Sequence, residues 1–170
     1  MRLYSGRVAT IASELIRKLK EAGDIEVNDP KEAQLDIEAV LKEYLRLDRE
    51  LTEKAKDLME KRRLPYEQFV KIKRALAEER GFATGDEAVM YIANQILEAF
   101  MHSKFIDEVY ADDVDLRKKI AEILRKHMTV DADIDAEVRR RIKNLQEGTA
   151  SWEIEYSKVM EQLKRAQRLD

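Results

Sequence analysis

The chain has 170 residues, 39% of them charged and 6% aromatic, with a formal net charge of −3. That length suits a single domain of the usual ~100–200 residues, and a hydrophobic content of 44% excludes a disordered chain. The absence of cysteine excludes a disulfide frame, a thiolate nucleophile and a thiolate metal site, and no stretch approaches the ~18 uncharged residues of a membrane span.

Taken in order, Val8, Ile11, Ala12, Leu15, Ile16 and Leu19 keep one side of a helix apolar, and Gly23 supplies a left-handed stop. Residues 1–19 hold no apolar run of signal-sequence length, so a cytoplasmic protein is expected. Ile25 and Val27 flank Glu26 as a short extended piece. Asp29-Pro30-Lys31-Glu32 then opens a long helix, with Asp29 as cap and Pro30 in the first turn. Its seam reads Ile37, Leu41, Tyr44, Leu51, Ala55 and Leu58, with Asp48 interrupting, and nothing stops it before Leu64-Pro65. Pro65 restarts a helix with Phe69, Val70, Ile72 and Leu76 that ends at Gly81. Thr84-Gly85-Asp86 starts the most apolar stretch, Val89 to Met101, the expected centre of the core. After a break near Ser103, Phe105 to Tyr110 reads as a short helix or a continuation. One of Asp112, Asp113 and Asp115 caps the next helix, which is expected to end at His127 or Met128. A second extended piece at Thr129 to Asp131 and a second long helix opening near Asp133 follow, with Gly148 as a candidate split and Thr149 or Ser151 as cap of the second half.

These elements predict an all-α helical bundle of about seven or eight helices. A weak internal repeat of short helix, extended break and long helix runs through it. Glu14-Leu15-Ile16-Arg17-Lys18 parallels Glu122-Ile123-Leu124-Arg125-Lys126, giving a first half at 8–62, central helices at 64–111 and a second half at 114–168 within one domain, 1–170. Residues 54–80 carry nine basic side chains to five acidic, and 81–137 six to thirteen, so the long helices have basic ends around an acidic middle. Basic residues near a helix C-terminus complement its dipole.

Few residues of the chain fall in patterns that carry chemistry. His102 and His127 belong to no motif and read as helix-end residues making one hydrogen bond each. Asp131, Asp133, Asp135 and Glu137 imitate the start of a calcium loop, but Ala136 replaces its glycine and Ile142 its bidentate glutamate. No catalytic, metal-binding or cofactor-binding residue is assigned, and a non-enzymatic protein is expected. Two basic triplets, Lys61-Arg62-Arg63 and Arg139-Arg140-Arg141, are candidate nucleic-acid contacts, against the plainer reading of a solvated helix face. Trp152 and Tyr156, one helical turn apart, are candidate partner contacts, against a role in the core.

Met1-Arg2-Leu3-Tyr4-Ser5, Leu35 to Leu41, Leu76-Ala77-Glu78-Glu79-Arg80-Gly81-Phe82, His102-Ser103 and Arg141 to Thr149 with Trp152 together resemble the bacterial family called domain of unknown function 507. The resemblance covers nearly the whole chain, with Gly148-Thr149 to Trp152 its most distinctive piece. It implies a bacterial cytosolic protein and carries no activity, substrate, cofactor or residue role. The leading expectation is an interaction or scaffold protein, with a homodimer through its long helices as one form of it. The alternative is an RNA-associated protein using the basic helix ends.

Overall fold

The computed structural model describes residues 2–146 and 149–166, with 129–132 described by their backbone alone. Six α-helices and one two-stranded sheet follow in the order α1 (Val8–Glu21), β1 (Ile25–Val27), α2 (Pro30–Arg62), α3 (Phe69–Glu79), α4 (Ala88–His102), β2 (Ile106–Val109), α5 (Asp113–Arg141) and α6 (Ala150–Ala166). Single 3₁₀ turns at Ser5–Arg7, Tyr66–Gln68 and Gly85–Glu87 lead into α1, α3 and α4.

The local signals act where the sequence places them. Gly23, at φ 73°, bends the chain so that the Asp24 amide returns to the Leu19 carbonyl at 3.0 Å and closes α1. An Asp29 carboxylate oxygen accepts the Glu32 amide at 3.2 Å, with Pro30 in the first turn of α2. At ~1.5 Å per residue α2 is roughly 50 Å long, and it buries Ile37, Leu41, Tyr44, Leu51 and Ala55 along the expected seam, with Met59 in place of Leu58. Helix α4 is the apolar centre: Val89, Ile92, Ala93, Ile96 and Phe100 are all at most 2% exposed. It packs against α2 and α5.

Three expectations are corrected. Residues 106–109 form a strand: β2 pairs antiparallel with β1, setting Ile25 opposite Val109, Glu26 opposite Glu108 and Val27 opposite Ile106. Isolated strand edges need a partner for their backbone groups. The Ser103 hydroxyl helps to turn the chain toward β1 by donating to Asp36 at 2.5 Å and accepting the Phe105 amide at 3.2 Å. Second, α5 runs without interruption through the places where a stop near His127, an extended piece at Thr129–Asp131 and a new start at Asp133 were expected. Neither Gly nor Pro occurs between Gly85 and Gly148, and the buried spacing Leu124, Met128, Ile134, Val138 continues the helical seam across the acidic stretch. Third, the extended break of the first half has no counterpart among the described residues of the second, so the repeat is not reproduced and the α-helices number six among those residues. Gly148 lies outside the described residues. The Thr149 hydroxyl accepts the Trp152 amide at 3.2 Å as the cap of α6, one of the two expected.

Burial divides into two clusters. The larger joins α1, α2, α4, the first half of α5 and the sheet, with Ile11, Leu15, Ile37, Leu41, Ile96, Ile120 and Leu124 at 0% exposure. The smaller joins Tyr4 to Ile134, Val138, Trp152, Tyr156, Met160 and Leu163 of α5 and α6.

Candidate functional site

A cleft of about 310 Å³ opens where the N-terminal segment, the middle of α2, the start of α3 with the turn before it, the Thr84–Gly85 turn, the end of α5 and the first turns of α6 meet. Its α2 wall is a single row. Tyr44, Asp48, Thr52 and Lys56 follow at four-residue steps, which on a helix stack side chains one turn above the next. Tyr44 is buried, stacks on Phe82 with ring centres 4.8 Å apart, and donates its hydroxyl to the Ala83 carbonyl at 3.1 Å. Burial, with the nearby Asp48 charge, raises that phenol well above its ordinary range. The Asp48 carboxylate receives Lys73 from α3 at 2.7 Å, and Lys56 reaches Glu153 of α6 at 3.7 Å.

The opposite wall is a polar chain behind stacked aromatics. Trp152 and Tyr156 stack with centres 4.8 Å apart, and the Arg139 guanidinium lies over both rings, 5.4 and 6.0 Å from their centres. Arg139 also donates to Asp135 at 3.0 Å. The Tyr156 hydroxyl donates to the same carboxylate, and the Tyr4 hydroxyl lies 3.0 Å from that of Tyr156. A phenol has one proton, so Tyr156, donating to Asp135, accepts from Tyr4. Burial and the Asp135 charge push Tyr4 up to about 12. Burial first, then the bond to Asp135, raises Tyr156 further still. Both phenols therefore stay neutral across the physiological range. At the mouth, Tyr66 and Phe69 stack nearly parallel, 5.6 Å apart at 3°, and both are half-buried.

Arg2, Lys56, Lys73 and Arg139 line this cleft against Asp48 and Glu153, a positive excess in a chain of net charge −3. Such a lining holds a planar or anionic group by stacking and charge.

The candidate residues are dispersed. Arg139 is drawn into the cleft, while Arg140 and Arg141 are tied back to Glu137 on the same helix. Lys61, Arg62 and Arg63 sit exposed at the far end of α2, and among the described residues their side chains make no ion pair. Trp152 and Tyr156 are 8% and 9% exposed, packed in the smaller cluster with an edge on the cleft. Sequence reasoning passed over Thr52, Lys56, Tyr66, Phe69 and Lys73. The one available signal was Asp48 interrupting an apolar seam, the second member of the row Tyr44, Asp48, Thr52 and Lys56.

A second polar centre lies elsewhere. His127, expected at a helix end, is buried inside α5 and meets Glu14 of α1 at 2.5 Å. Lys18 and Lys126 reach the other Glu14 oxygen at 2.8 and 3.0 Å. Burial alone raises the Glu14 carboxyl, but the bonds from Lys18, His127 and Lys126 outweigh it and hold the group at about 2. His102 is exposed at the end of α4. Of the acidic residues, Asp112 caps α5 and Asp135 serves Tyr156 and Arg139, and no cluster placed to hold a metal ion occurs among the described residues. Among those residues no helix is long and apolar enough to cross a membrane.

A family model described as "Protein of unknown function (DUF507)" matches residues 1–169. No curated protein matches the chain.

Proposed function

We propose that this chain, which belongs to the DUF507 family, is a non-enzymatic interaction protein that receives a flexible segment of a macromolecular partner in the cleft between α2 and α6. One observation carries the reading: six separate stretches of chain converge to bring stacked rings and excess positive charge to one concavity of about 310 Å³. That volume is at the small end of ligand pockets, ~300–1,000 Å³, so a side chain or a nucleotide enters while the rest of the partner lies across the mouth. The polar chain from Tyr4 to Asp135 and Arg139 fixes the wall rather than presenting a reactive group, because each member is already engaged by its neighbour.

The test is capture from cells by the tagged protein, comparing the wild type with Lys56→Ala/Lys73→Ala, with and without nuclease. The double variant leaves the aromatic walls in place and removes two cations of the lining. Loss of the specific partner by a variant with an unchanged circular dichroism spectrum is the expected result. Equal capture by both proteins would remove the cleft from consideration. A second copy of the chain is one candidate partner, and sedimentation across micromolar concentrations tests it.

A further inference from the structure

The turn joining α2 to α3 brings a run of cations next to a stacked aromatic pair. Within residues 61–74, Lys61, Arg62, Arg63, Lys71, Lys73 and Arg74 face a single acid, Glu67. Lys73 is spent on Asp48, but among the described residues Lys61, Arg62 and Arg63 have no carboxylate partner. Arg63 also holds a left-handed backbone, φ 51°, at the cap of α2. Glycine adopts that conformation without strain, so an arginine there keeps a charge where a neutral residue would fit better. Immediately after it stands the parallel Tyr66–Phe69 pair, half-buried at the cleft mouth, and Val70 beside it is 69% exposed.

We propose that this turn and the adjoining cleft mouth bind a single-stranded nucleic acid, with bases stacking on the Tyr66–Phe69 pair and phosphates lying against Lys61, Arg62 and Arg63. The proposal rests on the cleft being the binding face and specifies its occupant. Stacking needs a free base face, which a duplex keeps inside, and every base has one. Unpaired Lys and Arg gain most from phosphate because each contact releases counterions from the strand. An acidic peptide would satisfy the cations and leave the aromatic pair unused. The small cleft admits one nucleotide beyond the stack, and Arg140 and Arg141, both paired with Glu137, lie outside the path.

Fluorescence anisotropy with a short adenine-rich oligonucleotide, as RNA and as DNA, tests this on the full chain. A base-paired duplex and polyglutamate of matched charge serve as controls. Either single strand is expected to bind at least tenfold more tightly than both controls. The Tyr66→Leu/Phe69→Leu variant keeps apolar bulk and removes the rings, and should weaken binding about tenfold with an unchanged circular dichroism spectrum. Lys61→Gln/Arg62→Gln/Arg63→Gln should lower the slope of log K against log salt by about 2, at ~0.7 per phosphate. Absence of single-strand binding, equal binding of polyglutamate or duplex, or indifference to loss of the rings would overturn the proposal. If the oligonucleotides fail while Lys56→Ala/Lys73→Ala still loses its captured partner, the occupant is a protein: this inference falls and the cleft remains the binding face. If both experiments are null, both fall.

Discussion

At the scale of single residues, Glu14 is the most consequential charge. Its carboxylate is 9% exposed and shared among Lys18, Lys126 and His127, so removing it strands cations around a neutral amide. Its folded value of about 2 lies below the ordinary 4.5. The stabilisation is therefore fully present above pH 4.5 and disappears as pH falls through 2. Glu14→Gln is expected to lose on the order of 2–3 kcal/mol at pH 7, with the gap to wild type narrowing as urea unfolding is repeated from pH 4.5 downward. A gap independent of pH would show that packing, not charge, holds the pair. Tyr156→Phe should cost about 1–2 kcal/mol by thermal unfolding, because it leaves Asp135 and the Tyr4 hydroxyl short of a partner. Arg63→Gly, by contrast, should stabilise by roughly 0.5–1 kcal/mol through relief of left-handed strain. No gain in denaturation midpoint would mean that the Arg63 side chain contributes packing of its own.

At the scale of elements, the sequence was most readable where the signal is carried by neighbours. Asp29-Pro30, Gly23, Gly81 and Thr149 act as written, because a cap or a left-handed turn is decided within about four residues. Replacing Asp29 with alanine should cost about 1 kcal/mol, readable as a lower midpoint in helical circular dichroism. The long α5 shows the limit of such reading. The acids of residues 131–135 look like a helix start because Asp favours caps, yet the apolar seam on either side continues in phase, and packing on both flanks carries the helix through. Hydrogen exchange should find amide protection continuous across residues 126–138, and an unprotected gap at 129–131 would restore the break. The strand at Ile106–Val109 was missed for the opposite reason: its four residues are too short to show a period, and only the waiting edge of β1 makes it a strand.

At the scale of the whole molecule, two buried clusters share α5 as a common strut. The smaller contains Trp152, the chain's single tryptophan. Its fluorescence therefore reports that end of the molecule, while far-ultraviolet dichroism reports all the helices. The smaller cluster is expected to open first in urea, with the fluorescence midpoint below the dichroism midpoint, as a local unit of lower stability within one domain. Coincident midpoints would make the two clusters one cooperative core. The same division bears on function, since the cleft draws its walls from both clusters: Tyr44 from the larger, Trp152 and Tyr156 from the smaller.

Composition and periodicity alone settled the helical class, the apolar face of nearly every helix and most of their ends, since these follow from the preferences of residues within one or two turns. Family membership was legible too, from motifs spread along the chain. The β1–β2 pairing, the unbroken α5 and the cleft were decided only by tertiary contact. Tyr4 and Tyr156 meet across 152 positions, and Glu14 and His127 across 113. The free energy of such contacts comes from burial and from satisfying polar groups away from water. It depends on which surfaces meet, and no spacing within a single helix records that.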